Sequence, residues 1–442
     1  MKKNLVYLIF IISFFSTLYA QKISEKKDIA IFATSYPDRY IFDEFVNTNE
    51  FIEMVDDSIM NVFFNLERFN IIGLEYRLAS NDVGTFIGFL QQSIEADTQL
   101  PESVLMGLEA FTKDDWEKTI NSYYVVVPVI TYYSIQKERY HDTFWGEIDG
   151  YRINLTLELH IYSSKEDLKE KIDINVNFID KTYEKSCSTA FKALSDKLDL
   201  ELRKIKEFTI KTGIIKAEHN TVHFELGKKM GIKLGDEYVI LSDDGKEYGL
   251  IVVTKIESDF SAGLVLYSKN PLNLGDQIRE IPRGRFEYRP YVLGEFGFFR
   301  DNTGTQDKAL STGINVSAAR GFYRIRPCFG AELNIEPRFQ ELMSQGVPFS
   351  IFGGAEIGNT YFKRLQILPT VQFYYTMIIT GSKDNIHIPV GTGIKAFVHT
   401  SYLVTKNFKI GGDIGIKIGA SLFKGTGLIL RFTAGAGVTI KL

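Results

Sequence analysis

The final stretch of the chain, "GTGLILRFTAGAGVTIKL" (residues 425–442), decides how the rest is read. From Leu428 onward every second residue is apolar: Leu428, Leu430, Phe432, Ala434, Ala436, Val438, Ile440 and Leu442. Between them stand Ile429, Arg431, Thr433, Gly435, Gly437, Thr439 and Lys441. Strict period two marks a strand with two unlike faces. The run far exceeds the roughly 5–6 residues usual for a strand, and it carries a charge, Arg431, near its midpoint. What solvent the apolar face meets is the question.

The alternation recurs seven times upstream. Segment 287–299 aligns Tyr288, Pro290, Val292, Gly294, Phe296 and Phe298, and 309–319 aligns Leu310, Thr312, Ile314, Val316 and Ala318. The pattern continues through Tyr323 to Ile335, Val347 to Ile357, Leu365 to Met377, Ile386 to Val398 and Phe408 to Ile418. The opposite face is mixed and polar, with the acids Glu295, Glu332, Glu356 and Asp413 and the bases Arg326, Lys395, Lys417 and Arg431. Most of these strands reach the roughly 9–11 residues that cross a bilayer at a tilt. Apolar-out, polar-in alternation is the pattern of a transmembrane β-barrel, whereas a soluble sandwich or lipocalin-like barrel turns its apolar face inward. Aromatics gather at alternate strand junctions, Phe286 with Tyr288, Phe322 with Tyr323, Tyr361 with Phe362 and Tyr402 with Phe408, as an interfacial girdle would. Eight strands leave an interior only wide enough for side chains, so its charges must pair and the barrel is expected to be plugged. An even strand count puts both barrel ends on one side, and the outward connections 300–308, 337–346, 378–385 and 422–426 are short. This region resembles the eight-stranded OmpA-like outer-membrane barrels, although those usually end on an aromatic residue and this chain ends on Leu442.

Residues 1–20, "MKKNLVYLIFIISFFSTLYA", have the basic start, short apolar core and small-residue end of a secretory signal peptide, with cleavage expected near Ala20–Gln21. No cysteine follows the apolar core, so a lipid anchor is not expected. Cys187 and Cys328 are the only two cysteines and read as isolated thiols. The net charge of −4 gives no sign of a nucleic-acid partner.

From 28 to 208 the pattern is mixed. "DIAIFATSY" (28–36), "FNIIGLEYR" (69–77) and "YYVVVPVITYYSI" (123–135) read as strands, while 151–163 and 171–183 alternate as an antiparallel pair. Helical spacing appears over 45–69, over about 80–121 with a break at Pro101, and over 184–207. The "RF-x-I-I" run Arg68-Phe69-Asn70-Ile71-Ile72 and the strand Tyr123–Ile130 resemble the periplasmic α/β domain of the curli secretion channel, TolB and the middle of flagellar assembly protein T. From 209 to 283, about five short strands with turns at His219-Asn220, Gly231, Gly235-Asp236 and Gly275-Asp276 predict a small barrel. Gly213, Ile215, Val222, Gly227, Gly231, Gly235, Asp236, Gly275 and Asp276 resemble the SH3-like C-terminal module of flagellar assembly protein T.

Candidate chemistry is sparse. His141, Asp142 and Glu147, the pair Asp56-Asp57, and His219 with His223 each read as ordinary polar surface or turn residues rather than ligands or catalysts. Asn154-Leu155-Thr156 matches a glycosylation sequon but falls on a strand. Ser382, Asp384 and His387 cluster in one strand connection, in a spacing that matches no catalytic motif. The expected protein is multidomain: a signal peptide (1–20), a periplasmic α/β domain (21–208), an SH3-like β-module (209–283) and an eight-stranded antiparallel transmembrane barrel (284–442). Its expected place is the bacterial outer membrane with the N-terminal domains in the periplasm. The expected role is a non-enzymatic anchor for envelope assembly, without catalytic, cofactor or metal residues. Its partners would be outer-membrane lipid and periplasmic proteins, which the resemblances make flagellar or secretion-related; a homo-oligomer is left open. A small pore and, behind it, a lipid-modifying enzyme are the alternatives.

Overall fold

The computed structural model describes residues 23–36, 48–78, 82–86, 88, 103–105, 110–112, 119, 122–142, 146–163, 168–300, 306–335, 346–380, 387–421 and 427–442. The expected signal peptide lies outside them.

Among the described residues the first unit is a five-stranded mixed sheet covered by two long helices. Its elements are β1 (Lys27–Ala33), α1 (Thr48–Leu66), β2 (Phe69–Arg77), β5 (Tyr124–Asp142), β6 (Gly146–Ser163), β7 (Leu168–Asp180) and α2 (Tyr183–Lys204), with the short pair β3 (Ser103–Leu105) and β4 (Ala110–Thr112) apart. The sheet order is β2-β1-β5-β6-β7. β1 lies parallel to β2 and β5, so α1 is the crossover that parallel neighbours require. Phe51, Ile52, Val55, Ile59 and Phe63 recur at helical spacing on α1. They pack with Leu194, Leu198 and Leu202 of α2 on the sheet residues Ile29, Ile31, Val126, Leu155 and Leu157. The Thr182 hydroxyl caps α2 by accepting the Lys185 N–H at 3.3 Å.

Two readings of this region need correction. Residues 103–105 and 110–112 form an antiparallel pair, not helix. Pro101 and Gly107 break the helical spacing there, and the apolar residues left between them are too few to hold a helix. β5 and β6 also run seven and five residues further into their shared hairpin than the apolar alternation suggested. Both faces turn polar near the hairpin, so hydrophobicity fades before strand pairing does.

The second unit is a closed six-stranded barrel, one strand more than the five or so expected. It comprises β8 (Lys211–Glu218), β9 (Thr221–Glu225), β10 (Glu237–Leu241), β11 (Glu247–Ile256), β12 (Phe260–Ser268) and β13 (Gln277–Ile281), in the order β10-β11-β12-β9-β8-β13 with β13 back on β10. Val222, Phe224, Tyr238, Ile240, Ile251, Val253 and Ile278 fill it. Gly231, Gly235 and Gly275 have φ of 69°, 82° and 93°, the left-handed backbone that makes glycine the turn residue there.

The third unit is a closed ring of eight antiparallel strands. They are β14 (Phe286–Arg300), β15 (Gln306–Ala318), β16 (Ile325–Ile335), β17 (Gly346–Ile357), β19 (Leu365–Thr380), β20 (His387–Thr405), β21 (Phe408–Ser421) and β22 (Gly427–Lys441). The three-residue β18 (Thr360–Phe362) extends one hairpin below the ring. Closure runs through β14–β22 and β17–β19, so neither terminal strand keeps a free edge. A Cβ on Gly435 would lie 2.4 Å from the Val292 carbonyl, and one on Gly437 2.7 Å from that of Pro290. The glycines of the last strand therefore allow its close approach to β14.

The two faces divide as the alternation predicts. Ile414, Phe373, Phe432, Phe329 and Val292 face outward, and Ile414 is 74% exposed. Met377 and Val390 depart from this. Both were expected outward and both are buried, because a bulge between Thr376 and Met377 shifts the register and swaps the faces. Tyr323 and Tyr361, expected in an aromatic girdle, instead pack against the small barrel, while Phe322, Phe362 and Tyr402 remain exposed.

Candidate functional site

All eight charges that the alternation placed on the inner face are at most 4% exposed in the lumen of the large barrel. They form two linked groups. In the upper one, Glu295 accepts from Lys417 at 3.0 Å and Arg431 at 2.8 Å, and Glu332 accepts from Lys395 at 2.6 Å and from the Tyr291 hydroxyl at 2.7 Å. In the lower one, Arg326 joins Glu287 at 2.9 Å to Glu356 at 3.3 Å, and Arg289 meets Glu356 at 3.4 Å. Lys409 approaches Glu287 at 3.3 Å and donates to the Gln366 amide oxygen at 2.8 Å. His399 Nδ1 lies 2.7 Å from Asp413. Glu287, Arg289, His399, Lys409 and Lys441 were not picked out from sequence. Each shares the parity of a lumen charge on its own strand, so extending the alternation to the strand ends would have found them.

Beneath the lumen the three units are tied together by a second buried ionic chain. Arg68, between α1 and β2, pairs with Glu280 of β13 at 2.8 Å. Glu280 also pairs with Arg203 of α2 at 3.2 Å, and Arg203 with Asp199 at 3.1 Å. Asp199 pairs with Arg320 at 3.2 Å, and Arg320, in the turn after β15, pairs with Asp236 of the small barrel at 2.8 Å. Beside this chain Glu237 of β10 bonds both Arg283 and Lys441 of β22, so a carboxylate of the small barrel neutralises a cation of the large one. Burial pushes the Glu280 carboxyl up, but Arg68 and Arg203 outweigh it and hold it at about 2, below its ordinary 4.5. Asp199 and Glu237 are lowered in the same way, burial being outweighed by Arg320 and Arg203 in one case and by Lys441 and Arg283 in the other. Around these pairs Val239, Leu241, Leu250, Val252 and Leu266 cover the rim residues Leu403, Tyr323 and Tyr361. The patch of the small barrel's outer face formed by β10, β11 and β12 is thus buried under the large one.

The other candidates do not assemble into a site. His141 Nδ1 meets Glu147 at 3.4 Å across the β5–β6 hairpin, both side chains exposed, and no group of three metal-ligating residues occurs among the described residues. Asp56 is not simple surface: it accepts the Thr34 N–H at 2.7 Å and pairs with Arg77 at 2.8 Å, fixing α1 to the sheet. The Asn154 amide donates to Ser134 on the neighbouring strand. Cys187 and Cys328 are buried free thiols. Ser382, Asp384 and the His387 side chain lie outside the described residues.

Fold and lumen together define a closed eight-stranded antiparallel barrel with an apolar exterior and a charged interior. Among solved structures the chain is similar to Neisserial surface protein A, over 36% of this chain and 98% of that one, at 14% identity and a TM-score of 0.26. No family model matches the sequence, and no curated protein matches it.

Proposed function

We propose that this is a non-enzymatic outer-membrane protein whose filled barrel anchors the two N-terminal units rigidly in the periplasm, as part of an envelope assembly. The observation that carries the reading is the inverted polarity of the large barrel. Its strands run 11 to 19 residues and present Phe and Ile outward while burying paired charges. In water each large apolar side chain so exposed forgoes about 1.5–3 kcal/mol, and lipid removes that cost. Among the described residues no helix is long and apolar enough to cross a membrane, but strands can. The small barrel covers the rim where β14 begins and β22 ends, which would face the periplasm.

The resemblance of the N-terminal units to flagellar assembly protein T and the curli channel supports a flagellar or secretion-related partner, reached by a domain held at fixed orientation. Purified full-length protein in planar bilayers tests the anchor: we expect no stable conductance, and steady single-channel steps would replace it with the pore. Site-specific crosslinking from the surfaces of 23–208 in intact cells tests the scaffold. A recurrent envelope-assembly partner supports it, and capture of substrate-processing enzymes alone would count against it.

A further inference from the structure

The lower lumen contains a cavity of about 10 Å³ whose lining includes Arg289, Glu356, His399, Arg326, Glu287 and Ser317. Three polar atoms of this lining find no hydrogen-bond partner in the protein: Arg289 Nε, Glu356 Oε2 and His399 Nε2. Their residues are 5%, 1% and 1% exposed. They come from β14, β17 and β20, three strands spread around the ring. Other polar atoms of the same groups are engaged: His399 Nδ1 is on Asp413, Arg289 Nη1 is on Glu356, and Glu356 Oε1 accepts from Ser317 at 2.8 Å, while Glu356 Oε2 has only the ion pair with Arg326 Nε at 3.3 Å beside it.

We propose that this cavity is a binding site for one ordered water molecule that bridges Arg289, Glu356 and His399 across the lumen. The chemistry selects the occupant. Arg289 Nε can only donate and Glu356 Oε2 accepts; His399 Nδ1 donates to the Asp413 carboxylate, so Nε2 of the neutral ring accepts, and the bound species must both donate and accept. An anion would suit Arg289 but face Glu356 and Glu287. A cation would face Arg289 and Arg326. An apolar occupant would leave Arg289 Nε and His399 Nε2 unbonded and Glu356 Oε2 with only its ion pair to Arg326. The volume is about that of one water probe, and two to four polar partners are what a buried water requires. A bridge between three strands would fix the His399 ring and help to fill the barrel without opening a path through it. The inference concerns the lumen alone and holds in whatever membrane the barrel resides.

A crystal structure of the full chain in detergent, at a resolution that shows ordered solvent, tests the site directly. The expected result is one solvent peak within hydrogen-bond distance of Arg289 Nε, Glu356 Oε2 and His399 Nε2, with no anomalous signal after a sodium bromide soak. An empty cavity, or a bromide peak in it, would overturn the proposal. In His399→Leu the peak should vanish and the unfolding temperature of the barrel should fall, whereas His399→Gln, which restores a donor and an acceptor, should keep the peak. Should the leucine variant not fold, the wild-type density still decides.

Discussion

The chain contains two closed antiparallel barrels built from the same period-two alternation, with opposite insides. The six-stranded one buries Val222, Phe224, Ile240 and Val253 and turns Lys255 and Arg279 to solvent. The eight-stranded one buries Glu295, Glu332, Lys417 and Arg431 and turns Phe373, Ile414 and Phe432 outward. Strand pairing does not distinguish them. Alternation alone specifies two faces, and the surrounding solvent decides which becomes the core. Where the barrels meet, the small one buries both faces, one in its own core and the other under the rim of the large one. Their junction accordingly needs the buried ion pairs that neither barrel could leave open to lipid.

The comparison can be broken most forcefully at that junction. Glu280→Gln leaves Arg68 and Arg203 buried without their shared carboxylate, and should cost about 3–5 kcal/mol. Hydrogen exchange across 211–281 and protease cleavage near Arg68 should both rise, while the fold of the large barrel persists. Ile414→Lys, at the exposed centre of β21, should reduce membrane insertion by about 2–4 kcal/mol, read as loss of heat-modifiable barrel in outer-membrane fractions. Acid sharpens the same contrast. Because the Glu280 carboxyl is depressed from 4.5 to about 2, the stability it contributes is fully present above pH 4.5 and fades as pH falls toward 2. The junction should therefore loosen progressively over that window, followed by hydrogen exchange across 211–281. The smallest effect belongs to Lys255→Ala, which removes an exposed pair with Glu257 and should change stability by less than about 1 kcal/mol in denaturant titration.

Much of the large barrel was legible in sequence because its alternation is strict and its charges fall on one parity. Arg431 and Lys417, placed inside from parity alone, lie opposite each other on β22 and β21. The bulge at Thr376/Met377 was hard to read, since Met377 and Val390 are apolar on either reading; its signal was the Pro389-Val390-Gly391 run on β20, where Val390 is the residue skipped by the pairing. The junction was invisible for a different reason. Arg68, Asp199 with Arg203, Glu280 and Arg320 lie in four separate segments, each with the look of ordinary surface charge, and only the folded arrangement of the three units links them by pairs of 2.8–3.2 Å. Asp56 was missed similarly, its partner Arg77 lying at the far end of the next strand, β2.

The central claim is that the outward apolar face of the large barrel meets lipid while the small barrel meets water. Site-directed spin labels at Val292, Ile414 and Phe432, with a control at Lys255, test it most directly in protein reconstituted into bilayers. Collision with oxygen, which partitions into lipid, should dominate at the first three positions, and collision with a water-soluble nickel chelate should dominate at Lys255. Nickel-dominated relaxation at Ile414 and Phe432 would contradict the account, because the exterior of the large barrel would then be facing water.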